Sequence, residues 1–157
     1  MAQMYALNYP QDVKGLILIG TGARLRMRPD FLSLLEAGID APAEWVKNMI
    51  EPFYSRVVPA VKEKVIKKVA EVGARVQLND FRCCDKFDIM DRVHQITVPT
   101  LVICGTEDDM TPVKFSQYLA NKIAGAKLAI FEGGSHFVFM EKPEEANRAS
   151  EEFLRGL

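Results

Sequence analysis

The sequence predicts an α/β protein: about three parallel strands with flanking helices, interrupted by an inserted all-helical segment. Three observations carry this expectation. Residues 13–20 and 98–104 are apolar runs without alternation. Such runs suit strands covered on both faces, as in a parallel sheet. Residues 127–131 form a third, shorter run, and Val113, Phe115, Leu119 and Ile123 recur at helical spacing before it. Strand–helix–strand of that length is a βαβ crossover, expected to be right-handed. Between the first and second runs, residues 23–96 offer no convincing strand and several helical patterns.

Taken in order, residues 2–8 read as a short helix ending near Tyr9-Pro10, because proline is excluded from helix interiors. No capping residue precedes it, so the segment is expected to continue a longer one. Residues 13–20 are the first strand, expected to lie centrally. In the insert, Phe31, Leu34 and Leu35 mark a short helix, and Pro42 opens a second that carries Trp45, Val46, Met49, Ile50 and Phe53. Pro59 opens a third, with Val61, Val65, Val69 and Val72 on one face and a solvated face bearing Lys62, Glu63, Lys64, Lys67 and Lys68. Gly73 ends it. Residues 80–90 read as a fourth, broken helix. After the third strand, Pro143 opens the last helix, Glu144 and Glu145 suit its positive end, and Ala146, Ala149, Phe153 and Leu154 give it an apolar stripe. The expected organisation is residues 1–22 and 97–157 as the α/β core and residues 23–96 as the helical insert.

Composition narrows the function classes. The formal charge of −1, from 20 basic and 21 acidic residues, gives no electrostatic reason to expect nucleic acid or a membrane surface as partner. No apolar run reaches the roughly 18–20 residues that cross a bilayer, and no secretory leader pattern opens the chain. Cys83, Cys84 and Cys104 lack C-x-x-C spacing. They read as buried free thiols of a cytoplasmic protein, with no metal site.

Chemistry is expected at the carboxyl ends of the strands, where open parallel sheets bind ligands. Asp108 follows the second strand and His136 the third. If those strands are neighbours, about 4.8 Å apart, both loops open on one edge. Asp108 can then accept the Nδ1–H of His136, leaving Nε2 free as a base. Glu107 and Asp109 flank the chosen acid and read as solvent or capping residues. His94 precedes a strand at its amino end, the wrong edge. Gly20-Thr21-Gly22 resembles the start of a dinucleotide fingerprint, but Leu25 stands where the third glycine belongs, so no cofactor is expected. No Gly-x-Ser-x-Gly turn occurs, and Ser33, Ser55, Ser116, Ser135 and Ser150 sit on no strand-to-helix elbow; no nucleophile is assigned.

Together these residues resemble the second half of the α/β-hydrolase superfamily, in its carboxylesterase, haloperoxidase and C–C hydrolase branch. Residues 2–10 resemble the helix that follows the nucleophile, residues 13–20 the family's sixth strand, residues 23–96 its helical cap, and residues 99–105 its seventh strand. Gly105-x-x-Asp108-x-x-x-Pro112 is similar to the acid motif, Gly134-Ser135-His136 to the histidine motif, and Pro143 with Phe153-Leu154 to the closing helix. The resemblance implies a partial α/β-hydrolase fold and a serine hydrolase, carboxylesterase-like, in which His136 is the base and Asp108 orients it. A small apolar ester or related acyl compound would be the substrate, beneath a cap roofed by Trp45 and Phe31. The nucleophile and oxyanion hole would lie in an amino-terminal half outside these residues, leaving this chain inactive alone. Two alternatives accompany that reading: C–C hydrolysis, dehalogenation or perhydrolysis on the same fold, and a non-catalytic module. An unpaired edge on the first strand is expected to drive a homodimer or higher oligomer, or to accept the missing half.

Overall fold

The apolar runs form the sheet. A computed structural model describes residues 1–157. It begins with helix α1 (Ala2–Asn8), a 3-10 turn (Pro10–Asp12) and strand β1 (Leu16–Ile19). The insert follows as α2 (Pro29–Asp40), α3 (Pro42–Trp45), a π turn (Val46–Ile50), α4 (Glu51–Phe53), α5 (Pro59–Val72) and α6 (Ala74–Lys86). Strand β2 (Thr100–Gly105), α7 (Val113–Lys122), β3 (Lys127–Phe131), α8 (Val138–Glu141) and α9 (Pro143–Leu154) complete the chain. No helix is long and apolar enough to cross a membrane.

The residues divide into two units, Met1–Arg24 with Asp88–Leu157 and Leu25–Phe87. In the first, the three strands are parallel in the order β1-β2-β3. Leu18 aligns with Val102 and Leu128, and Ile19 with Ile103 and Ala129. β2 is therefore the central strand of the three, and all six of its residues are buried. One face packs Leu101 and Ile103 against Val138 and Phe153, with Ile17, Ile19, Ala129, Phe131 and Ala149 around them. On the other face α7 packs on β2 and brings in Leu119, which is fully buried. β1 alternates buried Leu16 and Leu18 with half-buried Ile17 and Ile19, and β3 leaves Leu128 and Ile130 exposed. Flanking helices thus cover the middle of the sheet more fully than its edges.

The second unit has its own core. α2 packs on α6, Leu35 and Leu78 are buried between elements of this unit, and the Phe31 ring stands edge-on to Phe81 at 4.9 Å. Trp45 lies 4% exposed against Gly38, where an added Cβ would meet the indole at 2.6 Å. The indole thus packs within the helical unit. α5 buries none of its residues; Val65 and Val69 are half-buried while Val61 and Val72 stay exposed. The fourth helix also differs from expectation, beginning at Ala74 directly after Gly73 and ending at Lys86. The entry and exit of the unit are tied by Leu25 N–H to the Phe87 carbonyl (3.1 Å) and Met27 N–H to Asp85 Oδ1 (2.8 Å). All three cysteines are free, but only Cys104 is buried; Cys83 is exposed and Cys84 half-buried.

Candidate active site

β2 and β3 bring their carboxyl ends together because two glycines let the backbones touch. A Cβ on Gly105 would meet the Gly134 carbonyl oxygen at 2.0 Å, so no other residue fits there. The loops that follow are stitched across this contact. Thr106 N–H donates to the Phe131 carbonyl (3.1 Å), Glu107 N–H to the Gly134 carbonyl (2.9 Å) and Gly133 N–H to Thr106 Oγ1 (2.8 Å).

The loop after β2 turns Asp108 inward, and its side chain is completely buried. Oδ1 accepts from the N–H groups of Met110 (2.9 Å) and Thr111 (2.7 Å), and Oδ2 accepts from the Thr111 hydroxyl (2.8 Å). This is the local side-chain-to-backbone pattern that aspartate favours in turns. His136, on the loop after β3, brings Nδ1 to 2.9 Å from Oδ2 and 3.1 Å from Oδ1. Burial pushes the Asp108 carboxyl upward, but the His136 bond and the Thr111 bonds outweigh it and hold the group below the usual carboxylate range. Asp108 is therefore ionised near neutrality. An ionised carboxylate only accepts, so the proton between the two sits on Nδ1, and in the neutral imidazole the lone pair is then on Nε2.

The imidazole is 24% exposed, with the Phe137 ring edge-on at 5.3 Å. Gly20, at the end of β1, closes another side. Its φ is +53° and an added Cβ would lie 3.2 Å from the His136 ring. The positive φ and the close approach both favour glycine there. Three strand ends thus converge on one histidine.

The other candidate residues stand apart. Glu107 and Asp109 are exposed, so of the three neighbouring acids Asp108 alone meets His136. His94 is exposed in a 3-10 turn (Val93–Gln95) ahead of β2. Ser33 and Ser150 donate to helical carbonyls, and Ser116 is buried in α7. Ser135 is bonded to Glu141. None of them hydrogen-bonds His136, whose side-chain partners are Asp108 and Thr111. Thr111, Gly20 and Glu141 are the site residues that sequence reasoning missed. A threonine three positions after an aspartate in a turn was the available signal for the first.

A hollow of about 240 Å³ lies in the same unit, bounded by Ala23, Arg24, Met90, Lys114, Phe115 and Tyr118. Part of its wall comes from the segment that follows β1 and part from the start of α7, which follows β2.

Comparison with known proteins agrees on fold. The profile of the alpha/beta hydrolase family matches residues 1–149. RutD of Rhizobium rhizogenes, named as a carbamate hydrolase, is 31% identical over 96% of this chain and 61% of its own length. A pimeloyl-[acyl-carrier protein] methyl ester esterase of Neisseria meningitidis is 23% identical over 99% of this chain and 65% of its own. Among solved structures, a thermophilic esterase is 33% identical with a TM-score of 0.79, over 99% of this chain and 61% of that one. The chain thus spans about three fifths of the length of such relatives.

Proposed function

The chain belongs to the alpha/beta hydrolase family, and from that premise we propose that it supplies the base and the acid of a nucleophile–histidine–acid hydrolase, carboxylesterase-like in reaction. The observation that carries this reading is the 2.9 Å contact between His136 Nδ1 and the buried Asp108 carboxylate at the ends of adjacent parallel strands. His136 Nε2 would take the proton of a nucleophile hydroxyl as its oxygen bonds to the acyl carbon. The imidazolium would then give that proton to the departing alcohol oxygen, and water would release the acyl group by the same route in reverse. Asp108 would stabilise the imidazolium throughout. A small apolar ester or related acyl compound is the substrate class, and the hollow beside Phe115 has room for a short acyl chain.

The nucleophile and the donors that stabilise the oxyanion would come from a segment outside these 157 residues. Such donors are worth about 10²–10³ in rate each, so the chain is inactive by itself on this reading. The test joins the nucleophile-bearing amino-terminal segment of an esterase relative ahead of Met1 and measures hydrolysis of a short-chain p-nitrophenyl ester. Turnover is expected from the chimera, lost with His136→Ala and sharply reduced with Asp108→Asn. A folded chimera whose turnover ignores His136 would sink the proposal, and turnover by the 157 residues alone would sink their inactivity.

One observation favours a second, compatible reading. β1 pairs with β2 and with no other strand of this chain. We infer that its outer edge drives association, either with a second copy or with the nucleophile-bearing segment.

A further inference from the structure

We propose that Glu141 is a positioning residue that clamps the His136 loop through Ser135; the inference deepens the hydrolase reading and rests on it for its catalytic meaning. Glu141 is the last residue of the short helix α8, which begins two residues after His136. Both oxygens of its carboxylate return to one residue. Oε2 accepts the Ser135 N–H at 2.9 Å, and Oε1 accepts the Ser135 hydroxyl. Bonds from an amide and a hydroxyl to a carboxylate are charge-assisted and about twice as strong as neutral ones.

The consequence is a closed ring of chain with His136 inside it. Residues 135–141 are bridged end to end by the Glu141 side chain, and the backbone between is wound by Val138 N–H to the Ser135 carbonyl (3.2 Å) and Met140 N–H to the Phe137 carbonyl (2.7 Å). On the amino side of the ring, Gly134 is already fixed against Gly105. On the carboxyl side, Val138 is fully buried. Ser135 is the peptide between those anchors, and Glu141 holds it. The imidazole itself has polar contacts only at Nδ1, with Asp108 and Thr111. Its direction is therefore set by that one point of contact together with the backbone from which it springs. A proton-transferring group must be held to within a fraction of an ångström and some tens of degrees, and the clamp supplies that restraint from behind.

The test reads the hydrogen bond directly and needs no nucleophile. The chain has two histidines, His94 and His136. In histidine-labelled protein the Nδ1 proton of His136, held between imidazole and carboxylate, is expected as a far-downfield NMR signal that exchanges slowly with water. Exposed His94 serves as the internal reference. Glu141→Met keeps length and removes both acceptors; exchange of the His136 proton is expected to quicken by about tenfold, the factor that one charge-assisted hydrogen bond is worth. Glu141→Gln is expected to restore slow exchange, since its amide oxygen accepts from the Ser135 N–H and its amide N–H donates to Oγ. Ser135→Ala removes one of the two bonds and should give an intermediate rate; it decides the matter if Glu141→Met does not fold. Unchanged exchange in folded Glu141→Met or Ser135→Ala overturns the clamp, and so does a Glu141→Gln chain that behaves like Glu141→Met. Quickened exchange alongside ester turnover indifferent to His136 leaves the clamp standing and removes only the hydrolase reading.

Discussion

Asp108 is held by more donors than an orienting carboxylate needs. Two backbone N–H groups, one hydroxyl and one imidazole share its two oxygens. Their effect is a carboxyl whose pKa is lowered despite full burial. That direction sets a stability signature. A group with a folded-state pKa below its unfolded value stabilises the fold above the unfolded value, and the contribution drains as pH falls through the folded one. The unfolded value is about 3.9. Urea unfolding of the wild-type chain should therefore show a midpoint that is steady above about pH 5 and drops as acid protonates Asp108. Asp108→Asn removes this titration and should flatten that limb, at the cost of a lower midpoint near neutrality, because the His136 Nδ1–H then meets a neutral amide. Equal acid slopes for the two proteins would remove Asp108 as the titrating group.

At the scale of elements, the site depends on β2 and β3 ending in contact. The Gly105–Gly134 approach leaves no room for a methyl group, and the obstructing atoms are backbone rather than a movable side chain. Gly105→Ala should cost about 3 kcal/mol, the upper range for overpacking, measured as a fall in denaturation midpoint. It should also weaken the Asp108–His136 bond, since both loops depart from that contact. The elements that make this arrangement were readable in the sequence for definite reasons. Residues 127–131 carry an apolar run bounded by Gly125 and Gly133, and β3 occupies those positions. Pro143 marks the start of α9 because proline suits a first helical turn. Other features were hidden. Gly73, at φ +82°, ends α5 and in the same step admits α6, a junction with no spacer for a pattern search to find. Apolar content marked β1 and β2 alike as strands covered on two faces and left their order in the sheet open. At the site, the type and spacing of Asp108 and His136 drew attention to them, whereas Thr111 and Glu141 matter through loop geometry. Glu141 reaches Ser135 only because α8 turns the backbone.

Across the whole molecule, the balance of buried and open surface bears on the association proposed for β1. β2 is covered on both faces, while β1 offers its outer edge to solvent and keeps Ile17 and Ile19 only half-buried. Leu16 N–H is bonded to the Pro99 carbonyl and Gly20 N–H to the Ile103 carbonyl. In a parallel ladder the donors of alternate residues face the same neighbour, so the N–H groups of Ile17 and Ile19 point away from β2. A net charge of −1 supplies almost no repulsion to keep two such edges apart. Light scattering should report a mass that rises with concentration above that of one 17.6 kDa chain. Ile17→Pro deletes an outward donor, places a ring on the edge and leaves the bonds to β2 intact, so it should return the protein to a monomer while the helical circular dichroism persists. If the wild-type chain stays monomeric throughout, β1 is shielded without a partner strand. If Ile17→Pro associates as the wild type does, the contact lies elsewhere, and the exposed Leu128 and Ile130 of β3 become the surface to alter next.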